Sequence, residues 1–178
     1  MNSITEIRVH GRGGQGAVTT AELIAIAAFK DGRFSQAVPN FGPERRGSPV
    51  EAYCRLAKEF ITLRTQVYDP DYVIVLDNSL PNVVDITKGL TKKGMILINS
   101  DEKKKFGSFS AFTVDANKIA MDILGKPIVN TVMLGAFAKA TKLVTLKSLI
   151  EAVEERFEGA MRDKNVQAIK RAYEETKV

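Results

Sequence analysis

At 178 residues, 44% hydrophobic and 26% charged, the chain is long enough to bury a core without disulfide or metal staples. Its net charge of +5 is mildly basic, but no Arg/Lys block is interleaved with aromatics and Trp is absent, so nucleic acid is not an expected partner. The single cysteine, Cys54, excludes a disulfide framework, a zinc site or a cysteine-ligated cluster within the chain, and no apolar run is long enough to span a bilayer.

Residues 4–10 alternate as a strand, and residues 17–28 are rich in Ala, Leu and Ile without Gly or Pro, as expected of a buried helix. Between them lies Gly11-Arg12-Gly13-Gly14-Gln15-Gly16, a G-x-G-x-x-G in its required strand-to-helix context. Glycines there let the backbone turn tightly and approach a phosphate, and the free N–H groups and dipole of a helix start favour an anion. Arg12 adds a charge at the loop tip. Two readings stay open: phosphate binding, or a tight turn with close helix–strand packing. A dinucleotide site also needs an acid roughly 20 residues on, at the end of the second strand. The expected second strand, residues 34–38, runs into Pro39 without one, and Asp31 sits beside Gly32 in a helix-ending turn. NAD(P) is therefore not the expected ligand.

Residues 39–49 hold three prolines and two glycines, so a long shaped loop is expected. Arg45 and Arg46, beside Glu44, form either a local ion pair or a bidentate clamp for a carboxylate or anion. From Val50 the residues alternate, with Val50, Ala52, Cys54 and Leu56 on one face and Glu51, Tyr53 and Arg55 on a wetter one, a strand at or near a sheet edge. Phe60, Ile61 and Thr62 extend this region as a short strand. Residues 72–76 are a continuous β-branched run typical of a central parallel strand. Asp77, Asn78 and Ser79 follow at its carboxyl end, either as ligand contacts or as the cap of a helix over residues 80–90. Strands are expected at residues 94–99 and 109–114, then a helix at 116–124 stopped by Gly125 and Pro127. Asn130 reads as an N-cap, with Gly135, Ala136 and Ala138 small enough for another backbone to approach. Helical spacing of Leu146, Leu149, Ile150, Val153 and Phe157, and of Val166, Ile169 and Tyr173, gives two amphipathic C-terminal helices. The alternation predicts one α/β domain over residues 1–178, a Rossmann-like, doubly wound, mostly parallel sheet with helices on both faces.

Three spaced motifs in one order carry a resemblance. Gly-Arg-Gly-Gly-Gln-Gly at 11–16, then Phe41, Gly42, Pro43, Glu44, Arg45, Arg46 and Gly47, then Asn130 with Met133, Leu134, Gly135 and Ala136, resemble the gamma subunit of the 2-oxoacid:ferredoxin oxidoreductases, the pyruvate enzyme most closely. The family often has Tyr and a second Gly where this chain has Phe41 and Ser48. The resemblance covers nearly the whole chain. It implies a complex with alpha, beta and delta-type subunits that carry thiamine diphosphate, Mg²⁺ and [4Fe–4S] clusters. That complex converts a 2-oxoacid, coenzyme A and oxidised ferredoxin to acyl-CoA, carbon dioxide and reduced ferredoxin.

The residues agree with that division of labour. No Gly-Asp-Gly followed by asparagines is present to hold a thiamine diphosphate, and His10 is the only histidine. No catalytic residue and no metal ligand are expected on this chain. The glycine loop, Gly11 to Gly16, is the candidate contact for CoA phosphates, and residues 41–47 with Asn130 are the candidate partner or active-site loop. A freestanding nucleotide-binding domain, or the accessory subunit of an indolepyruvate- or 2-oxoglutarate-type enzyme, are the alternatives. With no basic-then-apolar leader pattern, the cytoplasm is the expected location.

Overall fold

The structure, a computed structural model, describes residues 4–40 and 46–176. Strand β1 (Thr5–Arg12) leads into helix α1 (Ala17–Lys30), and the chain returns through strands β2 (Phe34–Asn40) and β3 (Pro49–Ala57). Strands β4 (Tyr72–Val75), β5 (Met95–Asn99) and β6 (Ser110–Val114) follow, then helices α2 (Ala116–Leu124), α3 (Asn130–Thr141), α4 (Leu146–Arg156) and α5 (Gly159–Glu175). The six strands are ordered β2-β3-β1-β4-β5-β6. β1, β4, β5 and β6 pair in parallel, whereas β3 is antiparallel to both β1 and β2. The mostly parallel α/β sheet is as expected.

The period of two along each strand decides what the faces bury. Ile7, Val9, Cys54, Leu56, Ile74 and Leu97 point to one side and share a single apolar core with all five helices. Val73, Val75, Ile96 and Ile98 point to the other, where Leu80, Ile86 and Leu90 cover them. Among the described residues the α-helices therefore occupy one face only, a correction to the expectation of both. The expected helix over residues 80–90 is not formed: a single 3₁₀ turn at Leu80–Asn82 is all that appears. The Asp85 side chain accepts from Thr87 N and Oγ1 in a turn of its own, and Gly89 has φ +73°, which no right-handed helix allows.

Three local expectations also shift. β2 runs on through Pro39 to Asn40, which an edge strand tolerates. Phe60–Thr62 is not a strand. The polar face of β3 is not wet: Arg55 is 1% exposed. Its guanidinium donates to Glu6 Oε1 (2.7 Å), Gln36 Oε1 (3.3 Å) and the Gln66 carbonyl (3.1 Å), so burial leaves no donor group wanting. The small stretch in α3 does what its composition suggests. Gly135 meets the backbone of α5, where an added Cβ would lie 2.1 Å from the Ile169 carbonyl oxygen.

Candidate functional site

The carboxyl ends of β1 and β4 lie side by side where the strand order departs in opposite directions, the place open α/β sheets reserve for ligands. Here the glycine loop is held by the side chains of residues 77–79 and the backbone of residues 47–48. Arg12 Nε donates to Asp77 Oδ2 (3.2 Å), Nη2 to Ser79 Oγ (2.7 Å) and Nη1 to the Gly47 carbonyl (3.0 Å). Gln15 accepts from the Arg12 amide (2.8 Å) and donates to the same Asp77 oxygen (2.9 Å). A backbone pair, Gly13 N to Ser48 O (2.8 Å) and Gly47 N to Gly13 O (3.1 Å), joins the loop to residues 47–48. Partial burial works to raise the Asp77 pKa, but hydrogen bonds from Ser79 and Gln15 and the Arg12 charge outweigh it and hold the carboxyl below its ordinary value.

Two of the expected motifs thus meet in space, and the third joins them. Gly16 sits in the left-handed region at the start of α1 with no side-chain cap, and α3 likewise starts without one, behind Val129. Asn130 is not the N-cap but the first residue of α3. An added Cβ on Gly16 would lie 2.6 Å from Asn130 Nδ2, so the two helix starts touch. Asn130 is 7% exposed, and its Oδ1 is buried without a hydrogen-bond partner among the described residues. Native interiors rarely leave such an oxygen bare. Two uncapped helix starts bring orphan N–H groups and the positive ends of two dipoles to one spot. The arrangement suits a ligand with an anionic group beside an N–H or O–H donor.

The glycines divide their labour. A Cβ on Gly11 would crowd Ala17 Cβ and Leu76 Cδ1, both 3.3 Å away, so Gly11 permits close helix–strand packing. Gly14 (φ +93°) has open space above it, leaving its backbone accessible. Arg12 and Gln15, expected to reach a ligand, spend their side chains on Asp77 and the 47–48 segment. Asp77 is the organising residue that sequence reading left between cap and ligand contact; a charged residue ending a central strand opposite a loop arginine was the available signal. Arg46 and Gly47 are exposed. Phe41, Gly42, Pro43, Glu44 and Arg45 lie outside the described residues. Among the described residues no group of three or more His, Cys, Asp or Glu could hold a metal ion, and no helix is long and apolar enough to cross a membrane.

His10 lies on the opposite sheet face from the helices, in a buried chain of polar groups. Arg8 Nε donates to His10 Nε2 (3.0 Å), and His10 Nδ1 is 3.5 Å from Glu51 Oε1, whose partner oxygen accepts from Tyr53 (2.7 Å). Burial, with the Arg8 charge, lowers the His10 pKa to about 4 against the pull of Glu51. The sign follows: above pH 6.5 the ring is neutral folded or unfolded, and as pH falls toward 4 only the unfolded chain takes up the proton. Stability should drop by about 2 kcal/mol by pH 5, at roughly 1.4 kcal/mol per pH unit below 6.5. Urea melts at pH 7.5 and 5 measure it; a His10→Gln chain losing as much as wild type would refute the assignment.

A family profile described as pyruvate ferredoxin/flavodoxin oxidoreductase matches residues 6–175. Pyruvate synthase subunit PorC of Methanothermobacter marburgensis is 54% identical over 172 residues, covering 97% of this chain and 97% of that protein. The pyruvate/ketoisovalerate oxidoreductases common subunit gamma of Thermococcus kodakarensis is 50% identical over 182 residues, again 97% of each. The crystal structure of pyruvate oxidoreductase subunit PORC from Thermotoga maritima superposes with a TM-score of 0.86 at 35% identity, covering 98% of this chain and 97% of that one.

Proposed function

The chain belongs to the pyruvate ferredoxin/flavodoxin oxidoreductase family, and on that premise we propose a function: it is the gamma subunit of a multi-subunit 2-oxoacid:ferredoxin oxidoreductase acting on pyruvate. The complex oxidatively decarboxylates its oxoacid with CoA, giving acyl-CoA, carbon dioxide and reduced ferredoxin. The thiamine diphosphate, Mg²⁺ and [4Fe–4S] clusters of that chemistry belong to the alpha, beta and delta-type partners. This chain's residues do not fit them. One cysteine cannot ligate a cluster, and burial pushes the Cys54 thiol far above its ordinary pKa, so no thiolate is at hand. A common gamma subunit named for both pyruvate and ketoisovalerate enzymes supports placing oxoacid choice on the partners.

Within that complex the chain's task is to hold coenzyme A beside the reacting centre. The convergence of two uncapped helix starts on Asn130 is the observation that carries this. CoA offers phosphates to the N–H groups and open backbone around Gly14 and Gly16, and amide N–H groups of its pantetheine arm to Asn130 Oδ1. Arg12, Gln15 and Asp77 hold the loop in shape for it. Residues 41–47 serve as a partner-facing or active-site loop.

The test is Arg12→Ala in the assembled complex. Arg12 acts on the ligand only through the loop, so the KM for CoA should rise by about one hydrogen bond's worth, 0.5–1.5 kcal/mol or roughly 2- to 12-fold. The oxoacid KM and CoA-independent adduct formation should stay within experimental scatter. Equal loss in every partial reaction would mean failed assembly and a purely structural loop.

A further inference from the structure

The outer edge of β2 offers bare backbone beside an exposed aromatic pair. β2 pairs with β3 on one side and, among the described residues, with nothing on the other. Alternate residues of an edge strand direct N–H and C=O groups outward, a template that soluble proteins usually blunt with charge. The β2 sequence, FSQAVPN, carries no charge at all. Pro39 removes one donor and leaves its carbonyl.

Beside this edge a groove of about 500 Å³ opens between β2 and residues 60–64, lined by Gln36, Val38, Phe60, Ile61, Thr62 and Arg64. Phe60 is 77% exposed and stands edge-on against Phe34, itself 45% exposed, with ring centroids 6.2 Å apart. Two aromatics locked together at the surface lose little freedom when covered, which is what makes good anchors at contacts. Arg64 has no hydrogen-bond or ion-pair partner among the described residues. A guanidinium that lines this groove and has no partner among the described residues selects a carboxylate.

The geometry points to one occupant: an extended segment of a partner subunit that adds to the β2 edge, seats an apolar side chain against Phe34 and Phe60, and sets a carboxylate on Arg64. Strand addition supplies affinity through backbone hydrogen bonds, while the groove and Arg64 supply selection. A second copy of this chain fits less well, because pairing β2 on β2 would offer Arg64 only another uncharged strand. The inference rests on the reading of the chain as a subunit.

The experiment co-expresses the chain with its oxidoreductase partner subunits and compares wild type with Phe60→Asp, Arg64→Glu and the double variant. Both residues are exposed, so the isolated variants should melt as wild type does. The double variant should recover at least ten-fold less of the thiamine-bearing subunits. Arg64→Glu alone should recover less than wild type, and wild-type recovery should fall as salt rises. Met161→Asp, an exposed apolar position on α5, should recover wild-type amounts. Wild-type recovery by the double variant overturns the proposal. So does an isolated chain that dimerises through these residues while the variant complex still forms. A wild-type chain that captures no partner subunit defeats the functional reading itself, and this inference with it.

Discussion

Gly135→Ala should lower the melting temperature, although helix propensity alone says it should raise it. Alanine in place of glycine inside a helix is worth about 1 kcal/mol in its favour. At this position the new Cβ would lie 2.1 Å from the Ile169 carbonyl oxygen and 3.1 Å from Tyr173 N, both backbone atoms of α5 that cannot swing aside. The helices must separate, and the same seam holds the buried bond from Thr131 Oγ1 to Asn165 Oδ1 (2.6 Å) and the Lys139 ammonium 5.0 Å from the Tyr173 ring. Overpacking of this kind costs typically 1–3 kcal/mol and more when backbone is struck, so the clash outweighs the propensity gain. The expected net loss is about 2 kcal/mol, a fall of roughly 4–8 °C for a chain of this size. A thermal melt of the isolated chain reads it directly, and a rise in melting temperature would show that α3 and α5 are not packed backbone to backbone.

Asn130→Leu should separate stability from function in the opposite sense. Leucine keeps the shape of the side chain and removes an oxygen that is buried with no partner among the described residues. Leaving such a group unsatisfied costs about 1–3 kcal/mol, so the isolated variant should gain about 1 kcal/mol, roughly 2–4 °C. In the complex the same change deletes the acceptor offered to CoA. The KM for CoA should rise by about 1–3 kcal/mol, roughly 5- to 150-fold, while the oxoacid KM holds. A destabilised variant with an unchanged KM would make Asn130 a packing residue beside Gly16 and nothing more.

Much of the fold was legible because its signals are local. The β-branched run at Tyr72–Val75, the glycine turn into α1 and the 3.6-residue spacing of α4 and α5 depend on neighbours in sequence. The helix expected over residues 80–90 failed against its breakers: Leu80, Val83, Val84 and Ile86 fall at helical spacing, but Pro81, β-branched residues and Gly89 (φ +73°) keep the segment in turns. Helices were expected on both faces because strand and helix signals alternate along the chain, and that alternation does not say which face each helix covers. The site shows the deeper limit. Sequence placed Gly11 to Gly16 and Asn130 among the functional candidates, yet the contact of Gly16 with Asn130 and the hold of Arg12 on Asp77 span long stretches of chain and exist only through the sheet. Arg55 is the same lesson in reverse. Its alternation marked a wet face, and its burial is sustained by the charge of Glu6, 49 residues away, together with Gln36 and the Gln66 carbonyl.

Viologen reduction driven by pyruvate and CoA tests the central claim most directly, measured on the complete complex, on the partner subunits without this chain, and on this chain alone. The account predicts turnover by the complete complex, none by the isolated chain, and a loss of CoA-dependent turnover when the chain is left out. Reduction by the isolated chain, or partner subunits that work without it at the same KM for CoA, would contradict the account.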